Sequence, residues 1–469
     1  YASYGYFDLD TTKDYSKQYT TNDDGKKVSW QKFFEDEALH EVEQITVYYS
    51  KAVEDGVTLT SAQKKTIETQ IQTLKDSASQ NNMSLDQYIK ANFGAYCSED
   101  TIRLMLTQYY MGANYKGKYK AETKVNDKQV KKYYDEHKSD YEKIEFYYIA
   151  VAYDSTDDDT KADSVKKAEE IMAKMKDKKS VLALVPEVYS SYIESDAKSA
   201  MEKDSTLTEE KAKEEAVKTY ESNVVATVSG SESPFDDEMN TWLFSDDTKV
   251  GSKKYYIDAD NGYIYIVLKT EKASLENDET YTVRHILIEP ESDDSSSSTS
   301  STKKKFTDAQ WKAAKKKTDK IVAEFNKSDK SEYSFAKLAE QYSTDTASTS
   351  SGSSDSFGGL YEGVVLGQMV DEFETWATDD SRKYGDVDIV KSDYGYHIMF
   401  FINDCPKYES KIITQIKSDN LSNMVDKAEI KVRESSIKKA VEKEKQAKTQ
   451  AATSAAQSTT SAQTTASAE

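Results

Sequence analysis

Two cysteines and four prolines in 469 residues exclude several architectures at once. Cys97 and Cys405 lie far apart, neither in a CxxC motif nor in a Cys/His cluster, which argues against zinc and thioredoxin-like chemistry and leaves room for one disulfide at most. Proline and glycine are scarce and tyrosine is abundant (34 residues), so most of the chain reads as ordered and helix-rich. No apolar run reaches the length of a membrane span. No basic stripe is present either. A net charge of −21 disfavours nucleic acid, repels anionic membrane surfaces, and favours solubility and attraction to cationic, incompletely folded chains. The chain starts at Tyr1 rather than Met, so the expectation is an upstream segment that has been removed (a signal peptide, a lipid-anchor cysteine or a membrane helix) and through which any membrane contact would be made.

The length implies two to four domains. Residues 1–27 are polar and Tyr-rich without a clear period. From Trp30, apolar residues recur at three- and four-residue steps (Phe34, Leu39, Val42, Ile45, Tyr49, Val53) until Gly56. Thr60-Ser-Ala-Gln63 and Ser84-Leu-Asp-Gln87 read as capping boxes opening further helices, and Ser98 and then Asn126 or Asp127 open two more. The period changes at Lys143: Ile144–Tyr153 is β-branched and aromatic and reads as a strand. A helix over Val165–Met175, a charged helical region to about Val224, and strands at Tyr255–Ile257 and Tyr263–Leu268 follow. The order then recurs: a strand over Tyr281–Ile288, a Ser-rich loop over Glu291–Thr302, and a helix capped at Thr307. Next come a Gly-rich loop (Gly352–Gly367), a short helix (Val370–Ala377) and strands at Val387–Val390 and Tyr396–Ile402. Helical patterning returns after Cys405, and residues 449–469 have the composition of a disordered tail.

Two of these segments repeat each other. Asp237-Glu-Met-Asn-Thr-Trp242 leads to Gly251 and Gly262-Tyr-Ile-Tyr265, while Asp371-Glu-Phe-Glu-Thr-Trp376 leads to Gly385 and Gly395-Tyr-His397-Ile398. In this register Tyr148 stands in the first copy for His285 in the second, and Ile264 for His397. If one copy is a catalyst, it is the second.

The second copy resembles the parvulin family of prolyl isomerases. The resemblance rests on Val283-Arg-His285-Ile-Leu-Ile288, Phe335-Ala-Lys-Leu-Ala-Glu-Gln-Tyr-Ser343, Asp345, Gly358-Gly359, Gly367-Gln368-Met369-Val, Phe373-Glu374 and Tyr394-Gly-Tyr-His397-Ile398, in the family's order over about 125 residues. It implies His285 and His397 as paired imidazoles and Asp345 at a position held by Cys or Asp. Met369 and Phe373 would wall a proline pocket, with Gln368 and Tyr394 as further substrate contacts. Either Leu360 or Tyr361 would take the family's leucine position. The competing readings are ordinary ones: strand histidines in a core, Met369 and Phe373 as core packing, Asp345 as a cap. No third ligand at metal spacing accompanies the histidines, and no cofactor is expected. His40 and His137 fall in charged helical stretches and are given no role.

Prolyl rotation needs none of the usual reactive groups. Its barrier is about 20 kcal/mol because amide resonance is lost in the twisted state. An apolar grip on the ring and polar groups that favour the twisted amide suffice to lower it. The helices flanking the repeats resemble, more weakly, the chaperone parts of bacterial foldases of the PrsA and SurA type. The expected fold class is thus α+β and multidomain. After an N-terminal extension (1–27) comes a helical chaperone module (28–142, completed by 407–447). A degenerate parvulin-like domain (143–273), an isomerase domain (274–405) and a disordered tail (448–469) follow. The expected activity is Xaa-Pro isomerisation in unfolded or partly folded, proline-containing secreted proteins, on the outer face of the bacterial membrane. A holdase without catalysis is the alternative.

Overall fold

The structure is a computed structural model. It describes all residues except 1–8, 23, 154–157, 231–234, 260, 292–305, 350–356, 434, 436, 440, 441, 443–445 and 447–469. The expected tail and most of the Ser-rich loop therefore lie outside the described residues. The chain divides into two compact units, each discontinuous in sequence: 1–125 with 281–404 and 414–469, and 126–280 with 405–413.

The first unit opens with a hairpin of β1 (Tyr19–Thr21) and β2 (Lys27–Ser29), which the aperiodic sequence there does not announce. Helices α1 (Trp30–Glu54), α2 (Ser61–Gln80), α3 (Leu85–Phe93) and α4 (Glu99–Glu122) follow. Thr60 and Ser84 each accept from the backbone N–H three residues on, while Gln63 and Gln87 reach back, so the start of α2 and of α3 is fixed by side chains that satisfy otherwise orphaned donors.

The second unit begins with α5 (Asp127–Glu136), expected in the first helical module but clustering here, where the Tyr134 hydroxyl donates to Glu142. Strand β3 (Glu142–Ala152) follows, then α6 (Asp158–Lys174), α7 (Lys178–Val188), α8 (Ser190–Lys203) and α9 (Glu209–Asn223). Next come β4 (Val225–Ser229), α10 (Asp237–Phe244), β5 (Lys253–Asp258), β6 (Tyr263–Lys269) and the short β7 (Ser274–Leu275) beside β3. The antiparallel order is β4-β3-β6-β5. One face, with Ile149, Val151, Ile264, Ile266 and Leu268, packs on α6–α9; the other, with Ile144, Phe146 and Val267, packs on α10.

The chain then re-enters the first unit. Strand β8 (Glu279–Ile288), α11 (Asp308–Phe325), α12 (Glu332–Tyr342), β9 (Leu360–Val365), α13 (Asp371–Ala377), β10 (Val387–Ser392) and β11 (Gly395–Pro406) form a sheet of order β9-β8-β11-β10. This is the order of the first sheet, element for element. Residues of alternate parity on β8 and β11 point to opposite faces. Ile286, Ile288, Ile398 and Phe400 meet α11 and α12, whereas Tyr281, Val283, Met399 and Phe401 meet α13. Finally α14 (Lys407–Asp426) brings Leu421 and Val425 against Val47, Tyr48, Ala52 and Tyr115 of α1 and α4. Cys97 and Cys405 are not joined in a disulfide, and no helix among the described residues is long and apolar enough to cross a membrane.

Within the first unit the N-terminal helices also pack on α12. The Gln63 amide exchanges hydrogen bonds with Asn114 (2.7 and 2.9 Å) and donates to Glu340, whose other oxygen accepts from the Gly358 N–H. All these side chains are buried, so the polar network is satisfied rather than solvated.

Candidate active site

His285 and His397 continue the parity of Val283 and Met399, which places both rings on the face covered by α13. Their rings lie 5.6 Å apart and nearly parallel, with Nδ1 facing Nδ1 at 3.4 Å. Phe373, 2% exposed, stands edge-on to both, at 5.3 and 5.6 Å. Tyr361 presents its ring edge-on to His285, with centroids 4.9 Å apart. Met369 is half-buried in the same cluster as Phe373.

A hydrogen-bond chain runs through the rings. His285 Nε2 meets Asp345 Oδ2 at 2.9 Å, and that oxygen also accepts from the hydroxyls of Tyr361 and Ser348, each at 2.8 Å. At the other end His397 Nε2 meets Ser392 Oγ at 2.7 Å, and Ser392 Oγ accepts from the Tyr394 N–H. The network assigns the protons. Ionised Asp345 can only accept, so His285 carries a proton on Nε2; with both rings neutral, its Nδ1 accepts from His397 Nδ1–H. His397 Nε2 then accepts the Ser392 hydroxyl. Every polar atom finds a complementary partner with both rings neutral.

The hydrogen bond from His285 holds the Asp345 carboxyl far below the usual carboxylate range, with the Ser348 and Tyr361 hydroxyls adding to it against the cost of burial. Burial, then the bond to Asp345, pushes the Tyr361 phenol up. Burial and the neighbouring His285 push His397 down to about 4, partly offset by Asp345, so the ring is neutral at physiological pH.

Local backbone holds these groups. Gly358 and Gly359 both have φ near +70°, and a Cβ on Gly359 would overlap the His285 carbonyl oxygen; the His285 N–H instead donates to Gly359 O at 2.8 Å. Gly363, at φ +58°, interrupts the alternation of β9, which lets Tyr361 and Val364 share one face. Behind the sheet, buried Arg284 donates to Glu332 (3.0 Å) and to the carbonyls of Phe357 and Gly358 (2.9 and 3.2 Å), tying the entry of β9 to β8.

Of the residues read from sequence, His285, His397, Asp345, Tyr361, Phe373 and Met369 come together. Asp345 also caps the turn after it, Oδ1 accepting from the Ala347 N–H, so cap and site contact use different oxygens. Leu360 is half-buried and outside the cluster around the rings; Tyr361 takes the place beside them. Gln368 is exposed, and Tyr394 is 59% exposed at the hairpin tip between β10 and β11. Sequence reasoning missed Ser348, Ser392 and Arg284. The cross-strand turn that brings Ser392 under His397 had a signal in Ser392-Asp-Tyr-Gly395; the other two are long-range.

The first copy corrects one alignment. The backbone bonds Gly251 N–H to Lys269 O and Lys269 N–H to Ser252 O match Gly385 to Phe401 and Phe401 to Asp386. Counting back from Lys269 and Phe401, His397 corresponds to Tyr265, not Ile264, which faces the opposite core. Two tyrosines, Tyr148 and Tyr265, with ring centroids 6.0 Å apart, thus stand where the second copy has its imidazoles.

Comparison with known proteins agrees with this geometry. Residues 265–404 match the family described as the PPIC-type PPIase domain. The chain is similar to PrsA foldases: it is 32% identical over 120 residues to foldase protein PrsA 1 of Listeria innocua, a match spanning 23% of this chain and 39% of the relative. Crystal structures of PrsA from Bacillus cereus (15% identity, TM-score 0.18, 90% of this chain and 95% of that one) and Bacillus anthracis (17%, 0.22, 57% and 97%) also match. Superpositions of that quality do not bear on the fold, which rests on the strand order.

Proposed function

We propose that the protein is a foldase that catalyses cis/trans isomerisation of Xaa-Pro bonds, with His285, His397 and Asp345 as its catalytic groups. The observation that carries this reading is the pair of imidazoles facing each other Nδ1 to Nδ1, tied at one end to Asp345 and at the other to Ser392, and edged by Phe373. Phe373, Met369 and Tyr361 supply an apolar wall for the proline ring. A planar amide is more dipolar than a twisted one, so an apolar wall disfavours the planar ground state, while the imidazole relay offers hydrogen bonds to the twisted carbonyl and nitrogen. No covalent intermediate is required.

By likeness to foldases of the PrsA type, its substrates are unfolded or partly folded secreted proteins and it works outside the cytoplasm, at the outer face of the membrane. Residues 274–405 would form the isomerase domain, 143–273 the degenerate copy, and 28–142 with 407–447 a chaperone module. Gln368 and Tyr394 at the rim would contact residues flanking the proline. Exposed Val42 and Val53 on α1 and Leu104 and Met105 on α4 favour a second, non-catalytic role in gripping client chains.

The test is a protease-coupled Xaa-Pro peptide assay on the full chain beside His285→Ala/His397→Ala. Catalysis abolished by the double substitution supports the enzymatic reading; wild-type rates at background refute it. Aggregation suppression that survives the double substitution assigns chaperone action to other surfaces.

A further inference from the structure

In the second copy the outer edge of β8 is covered. Leu287 N–H donates to Ser343 Oγ, Leu287 O accepts from Thr344 N–H at 2.8 Å, and Glu289 N–H donates to Thr344 Oγ1. The first copy has the same edge. His285 N–H to Gly359 O corresponds to Tyr148 N–H to Val224 O, which aligns Leu287 with Ala150 and Glu289 with Ala152. Pairing of β3 with β4 ends at Tyr147. Past it, Ala150 N–H donates to the Tyr189 phenol at 2.9 Å. Strand alternation aims Ala150 C=O and Ala152 N–H the same way, and among the described residues neither finds a hydrogen-bond partner.

These groups open into a cavity of about 380 Å³ lined by Ala150–Ala152, Lys167, Val188, Tyr189, Ser191, Tyr192, Tyr220 and Tyr263. Of its aromatic wall, Tyr189 precedes α8, Tyr192 lies on α8 and Tyr220 on α9, helices with no counterpart between β8 and β9 among the described residues, and Tyr263 lies on β6. Tyr189 and Tyr220 stack at 5.2 Å, and Tyr192 is 52% exposed.

We propose that this cavity is a second polypeptide site, which takes an extended client segment as an added strand on β3. Its main chain pairs with Ala150 and Ala152, and its apolar or aromatic side chains lie on the tyrosines. The second copy shows what fits the edge: an extended stretch, Ser343–Thr344, contributed by its own chain. Binding here needs no proline and does not depend on the isomerase reading.

The test is fluorescence anisotropy with the full chain and a fluorescein-labelled, proline-free ten-residue peptide of alternating Thr and Tyr. A second peptide carries N-methyl groups on alternate amides along one edge, and a third on the other edge. Saturable binding is expected, weakened about tenfold or more when the pairing edge is methylated. Tyr192→Ala, an exposed substitution that leaves the fold intact by circular dichroism, lowers affinity about fivefold. His285→Ala/His397→Ala leaves it unchanged. Equal affinity for all three peptides, no saturable binding, or a wild-type dimer dissociated by Tyr192→Ala each overturns the proposal, the last because a second copy would be the occupant.

Discussion

Replacing Asp345 by Ala removes the one acceptor that orients the relay. Three donors would lose the carboxylate: His285 Nε2–H at 2.9 Å and the hydroxyls of Tyr361 and Ser348, each at 2.8 Å, of which Ser348 keeps a second acceptor in the Asp345 carbonyl and the other two are left unsatisfied. Each unsatisfied donor costs about 1–3 kcal/mol, so the local penalty is about 2–6 kcal/mol. Asp345→Asn keeps an acceptor oxygen and loses only charge assistance, about 1 kcal/mol. With only four histidines in the chain, selective ¹⁵N-histidine labelling reads the tautomers directly, exposed His40 and His137 serving as references. Wild-type protein should show His285 protonated on Nε2 and His397 on Nδ1, and Asp345→Ala should scramble both. Amide exchange on β8 and β11 should accelerate about thirtyfold or more with Ala and much less with Asn. A wild-type His285 protonated on Nδ1, or an Ala variant within 1 kcal/mol of wild type, would refute the proton assignment.

Three further outcomes follow from the geometry. His397 is held at about 4 in the fold against about 6.5 unfolded, so its neutral form is favoured by folding. That contribution is full above pH 6.5 and is lost as pH falls toward 4, about 3 kcal/mol in all; amide exchange of β11 against pH should show this loss in wild type and not in His397→Asn. Gly359→Ala forces a left-handed residue and a Cβ onto the His285 carbonyl, and should lower stability by more than about 2 kcal/mol in a thermal melt, with isomerase activity falling in step. Arg284→Leu strands the buried Glu332 carboxylate and should cost about 3–5 kcal/mol, whereas Arg284→Leu with Glu332→Leu should recover most of it; equal losses for the single and double variants would contradict the pairing.

Much of this was legible where the physics is local. Thr60, Ser84 and Ser98 announce their helices because capping needs only neighbours, and the parity of Tyr281, Val283 and His285 shows which face the imidazole shares. What failed was non-local. Strand β9 hid inside a Gly-rich stretch because Gly358, Gly359 and Gly363 take positive φ within and before it. Strand β4 was lost at the end of a charged helical region. Ile264 was aligned with His397 by a one-residue slip, which in a strand exchanges the two faces. The closing partners of the relay were equally hidden. Ser348 and Ser392 close its two ends, Arg284 reaches Phe357 across 73 positions of sequence, and Asp345, 60 positions from His285, was legible only through the family resemblance.

The way α14 returns to α1 and α4 sets a timetable for birth of the molecule. Tyr48 and Ala52 await Leu421 and Val425, and at about 5–20 residues per second that wait is roughly 20–70 s of synthesis. The intervening 126–280 segment is nearly contiguous and can consolidate early. The N-terminal helices cannot, so the face around Tyr48 and Ala52 stays bare until α14 emerges.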